Sequence, residues 1–201
     1  MSNIQPQPSS DDLSNGWDLV APRFIQERQY SSIGVEAVTE WAKSLSPGCD
    51  VLDIGCGFGI PVSEALIKQG LNVYGIDASP RLIEEFQRRF PNSISQCETV
   101  EVSDFFGKTF DGVIAIGLMF LLSKESQLFL IKNVASALKK GGRFLFTAPS
   151  QICTWKDLLT ARESISLGRD AYLLALQENN LALMAEFSDD GENHHFAVIK
   201  L

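Results

Sequence analysis

The stretch VLDIGCGFGIPV, residues 51–62, limits the fold more tightly than any other part of this chain. The short apolar strand Val51–Ile54 leads into Gly55-Cys56-Gly57-Phe58-Gly59, and Pro61, Val62, Ala65 and Leu66 then mark the first turns of a helix. A second strand, Asn72–Ile76, ends at Asp77, 18 residues after Gly59. Strand, glycine loop, helix, strand and terminal acid is the plan of a nucleoside-binding α/β sheet, in which the loop backbone approaches a ligand.

The residues of the loop argue against a phosphate. A dinucleotide loop needs its third glycine at position 60, where this chain has Ile60, and no Gly-Lys-Ser/Thr closes a P-loop. Asp53 stands at the mouth, where a carboxylate repels pyrophosphate and suits a cation. Asp77 can accept both hydroxyls of a ribose. The expected ligand has a ribose, an adenine-like base and a positively charged, phosphate-free tail, which describes S-adenosylmethionine.

The alternation continues along the chain. Ser79-Pro80 is an N-cap and first-turn proline, followed by the stripe Leu82, Ile83, Phe86 and Phe90. Ser93–Cys97 is a weak strand, and Phe110–Gly117 a strong central one. Leu128, Ile131, Ala135 and Leu138 line a helix expected to end at KKGG, before a fifth strand at Arg143–Thr147. A helix is expected over about 168–179. Leu181–Phe187 and His194–Ile199 are separated by a turn too short for a crossover, so they form an antiparallel hairpin. The expected fold is a Rossmann-like three-layer α/β/α sandwich with a seven-stranded, mostly parallel sheet.

Upstream, residues 1–14 read as a disordered tail. Gly16–Tyr30 reads as a short helix or lid, and 32–45 as a helix ended by SPG. The expected organisation is one domain over 15–201: a helical cap at 15–46, a core at 49–149, and a C-terminal helix and hairpin at 150–201.

VLDIGCGFGIPV, VYGIDASP, TFDGVIAIG and LKKGGRFLFTAP resemble, in order, the motifs of class I S-adenosylmethionine-dependent methyltransferases, in particular the type 11, UbiE-like small-molecule group. The resemblance runs from about Val51 to Pro149 and implies the site. Asp53, Gly55, Cys56, Gly57 and Gly59 would lie against the methionine moiety. Asp77 would bind the ribose, and Ala78 would pack near the adenine. Thr99, Val100 and Glu101 would border the adenine, Val100 through its backbone amide. Many relatives carry Asp where this chain has Thr99. Gly117 and Leu118 would sit near the sulfonium and its methyl group. No residue stands out as catalytic, and no metal site is expected.

Charge and missing motifs narrow the acceptor. The net charge is −8, which disfavours a surface wrapped on nucleic acid or anionic lipid. GLMF stands where amine methylases of nucleic acids carry Asn/Asp-Pro-Pro-Tyr/Phe, and no Pro-Cys nucleophile is present. A small-molecule acceptor is expected, covered by residues 16–45 and 150–168. Trp17, Phe24, Tyr30 and Trp155 read equally as a pocket cap or as packing, and Arg28, Arg162 and Glu163 as a solvated face. Cys56 reads as a loop filler, Cys153 as a buried thiol, and His194 with His195 as an exposed hairpin end. No apolar run approaches membrane length, and MSNIQPQPSSDD lacks the features of a signal peptide. The four cysteines show no zinc spacing, so reduced thiols in a cytoplasmic protein are expected. Two other readings stay open: a methyltransferase-fold protein that binds cofactor as a regulator or scaffold, and an NAD-dependent oxidoreductase.

Overall fold

Six parallel strands and one reversed strand set the frame of the computed structural model, which describes residues 12–201. The elements in order are α1 (Trp17–Arg28), α2 (Val35–Ala42), β1 (Asp50–Ile54), α3 (Val62–Lys68), β2 (Asn72–Asp77), α4 (Pro80–Arg89) and β3 (Ile94–Cys97). Then come β4 (Phe110–Ala115), α5 (Lys124–Ala137), β5 (Leu138–Thr147), β6 (Ile152–Lys156), β7 (Glu163–Leu167), α6 (Arg169–Glu178), β8 (Leu181–Ser188) and β9 (His194–Lys200). The main sheet has seven strands in the order β3-β2-β1-β4-β5-β9-β8. Only β9 runs against its neighbours. The expected fold class is the one observed.

β1 and β4 lie side by side, with Leu52 opposite Val113 and Asp53 opposite Ile114. Their connections leave in opposite directions across the sheet, which opens a crevice at their C-terminal ends. Alternate residues feed two cores, as a pleated strand requires. Leu52, Val113, Phe144 and Phe146 pack with α5 and α6 on one face, while Val51, Ile114 and Leu145 pack with α2, α3 and α4 on the other. Gly112 lets α2 approach β4: a Cβ there would sit 2.8 Å from the Trp41 ring. The Ser79 hydroxyl accepts from Leu82 N at 3.2 Å and fixes the start of α4.

Several local expectations need correction. β6 and β7 form a separate antiparallel hairpin where no strands were expected. Each is short and alternately half-exposed, with too little apolar patterning to announce itself. α2 is shorter than the expected 32–45, because Gly34 at its N-cap has φ 80° and lies outside the helix. α5 ends at Ala137, and the lysines of KKGG belong to a bulged start of β5 rather than to a last helical turn. The tail reading falls on residues 1–11, which lie outside the described residues, and on 12–14, which are ordered. The Asp12 carboxylate accepts from Ser14 N and Gly16 N, each at 2.9 Å, and leads the chain into α1.

Candidate active site

The glycine loop is held from below. Gly55 N and Cys56 N donate to Ile76 O at 2.8 and 3.0 Å, so the loop from β1 hangs on the end of β2. Gly57 N donates to Asp77 Oδ2 at 2.9 Å, and Ser79 N to Asp77 Oδ1 at 2.8 Å. Gly55, Gly57 and Gly59 have φ of 71°, 54° and 84°, a region that disfavours side chains. A Cβ on Gly59 would lie 2.4 Å from the Phe90 ring. The Cys56 side chain turns behind the loop, and a Cβ on Gly75 would meet its Sγ at 2.8 Å. Burial drives this thiol well above its ordinary pKa, which disfavours the thiolate a nucleophile needs.

Asp53 is 2% exposed and accepts from the Ser63 hydroxyl at the start of α3. Burial, helped by the charge of Asp77, raises its pKa to about 7 against that hydrogen bond. Burial also raises Asp77 to about 6, against its two backbone donors, with Asp18 adding to the rise. Two carboxylates kept from ionising freely form a site that gains from a cation.

These groups open into one cavity of about 1010 Å³. Asp53, Gly55, Cys56, Gly57, Asp77, Ala78, Val100, Glu101, Gly117 and Leu118 all line it, and Gly59 lies behind. Thr99 lines it as well. Burial opposes the charge of Glu101, but hydrogen bonds from Ser126 and Thr99 outweigh it and hold its carboxyl below the usual range. Gly117 has φ 73°, and a Cβ there would meet nothing within 4 Å. Its N–H donates to Thr147 Oγ1 at 2.7 Å. Leu118 leans over Gly55, where a Cβ would come within 3.0 Å of it.

The cover is partly as expected. Trp17, Phe24, Arg28 and Trp155 line the cavity. Tyr30 is 90% exposed, and Tyr30, Arg162 and Glu163 are not among the lining residues. α2 packs on α3 and Gly112, away from the opening. Cys153 is half-buried on β6 and does not line the cavity.

The reading of His195 as exposed is overturned. β9 runs inside the sheet, so the residue is covered: it is 0% exposed and stacks on Phe187 with ring centroids 4.9 Å apart. Its Nε2 lies 3.0 Å from Asp189 Oδ2. His194 is half-buried, with Nε2 3.1 Å from Glu186.

Other lining residues escaped the sequence reading. Glu98, next after β3, has one carboxylate oxygen buried without a partner. Thr147 and Asp189 with Asn193 escaped that reading as well, while the Lys156–Leu159 turn falls within the expected 150–168 cover. The sequence carried no signal for Glu98: the fold brings it beside Asp77, with Glu98 N donating to Asp77 O at 3.0 Å. Among the described residues no group of His, Cys, Asp and Glu is placed to hold a metal.

The family described as "Methyltransferase domain" matches residues 51–142. A ubiquinone biosynthesis O-methyltransferase of Coxiella burnetii is 34% identical over 104 residues, half of this chain and 43% of that protein. The tRNA N(3)-methylcytidine methyltransferase trm141 of Schizosaccharomyces pombe is 32% identical over 107 residues, 48% of this chain and 42% of that protein. The chain thus spans less than half the length of the curated relatives it matches. Among solved structures, magnesium protoporphyrin IX methyltransferase of Synechocystis PCC 6803 with bound SAM superposes with a TM-score of 0.68 at 17% identity. The match covers 99% of this chain and 88% of that one. A TehB-like SAM-dependent methyltransferase of Corynebacterium glutamicum gives 0.66 at 22% identity, covering 89% and 92%. Residues 51–142 thus match a methyltransferase domain, and the chain has the fold of the class I S-adenosylmethionine-dependent methyltransferases.

Proposed function

We propose that this protein transfers a methyl group from S-adenosylmethionine to a small-molecule acceptor. The observation that carries this reading is Asp77, at the end of β2 and bonded to Gly57 of the loop. Each of its oxygens takes one backbone N–H and keeps a lone pair for a ribose hydroxyl. Ile60 blocks the dinucleotide alternative at the residue where that loop needs glycine.

When bound, the sulfonium supplies an already activated methyl group. The protein's residues position and enclose. Asp53, buried and poised near neutrality, meets the ammonium of the methionine tail. Arg28 answers the tail's carboxylate: it lines the cavity one helical turn beyond Phe24, whose ring lies 3.5 Å from a Cβ placed on Gly57. Glu98 and the Thr99–Glu101 segment border the base. Gly117, held by Thr147, leaves open the space in which a nucleophile can line up opposite the carbon–sulfur bond, about 3 Å from the methyl carbon. Leu118, Leu121 and Trp155 keep that space apolar, which favours charge leaving the sulfur.

The small-molecule part of the reading rests on the acidic net charge and on GLMF after β4. A cytoplasmic setting is supported by the four free cysteines, and no helix among the described residues is long and apolar enough to cross a membrane. The test is methyl transfer from labelled S-adenosylmethionine to a metabolite panel, with total tRNA as a parallel acceptor. Label in a small molecule supports the proposal. Label only in tRNA, or cofactor binding with no acceptor, refutes it.

A further inference from the structure

The charges on the acceptor side of the cavity are unevenly committed. Asp157 Oδ1 accepts from Leu159 N, Thr160 N and Thr160 Oγ1 at 2.7–3.0 Å, which closes the β6–β7 turn. Asp189 accepts from Gly191 N, Asn193 N, Asn193 Nδ2 and His195. Glu27 pairs with Arg23 at 2.7 Å. These lining carboxylates therefore offer little to a ligand.

Lys156 differs. It lines the cavity from the end of β6 and forms no ion pair among the described residues. Glu163 is its cross-strand neighbour, yet the two make no ion pair, and Glu163 does not line the cavity. Lys156 is exposed, two residues before Leu158, which is 94% exposed. Trp155, beside it in sequence, packs on Phe120 at 5.3 Å and fixes the hairpin to the turn after β4. At about 1010 Å³ the cavity stands at the upper end of the roughly 300–1,000 Å³ range of small-molecule pockets.

We propose that the acceptor carries a carboxylate, held by Lys156 at the rim, on an apolar body that lies against Leu118, Leu121 and Trp155. Its nucleophile then reaches the Gly117 end of the cavity. With Arg28 assigned to the carboxylate of the methionine tail, Lys156 is left as the cation for the acceptor. This inference rests on the methyl-transfer reading, and its test separates the two. A lysine ammonium acts as a point charge, so it selects for the sign of the ligand's charge rather than for one geometry.

The experiment uses the full chain saturated with S-adenosylhomocysteine. The probes are hydroxy acids with aromatic and aliphatic bodies, among them 3-(4-hydroxyphenyl)propanoate, each beside its methyl ester and its amine counterpart, such as tyramine. Binding is read by calorimetry and transfer by labelled S-adenosylmethionine. Acids are expected to bind at least tenfold more tightly than their esters, and amines not at all. Lys156→Ala should remove that preference while stabilisation by S-adenosylhomocysteine stays intact, and Lys156→Glu should turn it toward amines. Esters or amines preferred by the wild type, no acid bound, or an acid preference unchanged in Lys156→Ala overturns the inference. Failure of S-adenosylhomocysteine itself to stabilise the wild type refutes the cofactor reading instead.

Discussion

Asp77 Oδ2 accepts the N–H of Gly57 at 2.9 Å, so the acid that ends β2 also sets the middle of the loop that leaves β1. One side chain both shapes the glycine loop and presents oxygens to the cavity. Asp77→Ala therefore removes a ligand contact and loosens the loop together. Ligand at 100 times its dissociation constant stabilises a protein by about 2.7 kcal/mol. In Asp77→Ala most of that gain from S-adenosylhomocysteine should vanish in thermal unfolding, while a full shift would remove Asp77 from the site.

Asp53 and Asp77 make cofactor binding pH-dependent. Their folded pKa values are about 7 and about 6, against about 3.9 for an unfolded aspartate. Between those limits the folded, ligand-free chain holds protons that the unfolded chain has released. Its stability then falls as pH rises from about 4 to about 7, and levels off above. An ammonium at Asp53 favours the ionised form, so binding releases a proton, and affinity should rise with pH across the same window. Calorimetry in buffers of different ionisation enthalpy reads the proton release, and Asp53→Asn should abolish most of it.

Two glycines separate packing from function. Gly59→Ala drives a methyl into Phe90 at positive φ and should cost about 2–5 kcal/mol, the sum of overpacking and left-handed strain. Gly117→Ala meets no protein atom, so only the backbone cost of about 1–2 kcal/mol applies. Its methyl points into open space at the cavity, so methyl transfer should fall far more than stability. Denaturant unfolding beside initial rates checks both.

The buried pair His195–Asp189 fastens the β8–β9 turn, and through it the α1–α2 connection, since Gly34 N donates to Asp190 Oδ1 at 3.2 Å. Asp189→Ala leaves the buried His195 and two turn N–H groups without their acceptor and should cost about 1–3 kcal/mol. Urea unfolding measures it. A loss below about 1 kcal/mol would mean that the pair is incidental.

Much of this was legible in the sequence because the signals were local. The loop, Asp77, the caps at Ser79 and the two-faced strands β1 and β4 each declare themselves within a dozen residues. What was missed depends on tertiary neighbours. Ile152–Lys156 pairs with Glu163–Leu167 without an apolar face of its own, and that hairpin supplies Lys156 to the cavity. His195 looked like a hairpin end because its cover comes from Asp189 and Phe187, and its strand lies inside the sheet. Glu98 carried no motif; its buried, unpartnered oxygen emerges only once β3 lies beside β2.

The crevice at the C-terminal ends of β1 and β4 is expected to hold an S-adenosyl group rather than a dinucleotide. Thermal unfolding with S-adenosylhomocysteine and, separately, with NAD in either redox state tests it most directly. Tm is expected to rise saturably with S-adenosylhomocysteine, to stay unchanged with NAD, and to lose the rise in Asp77→Ala. Stabilisation by NAD with none from S-adenosylhomocysteine would contradict it.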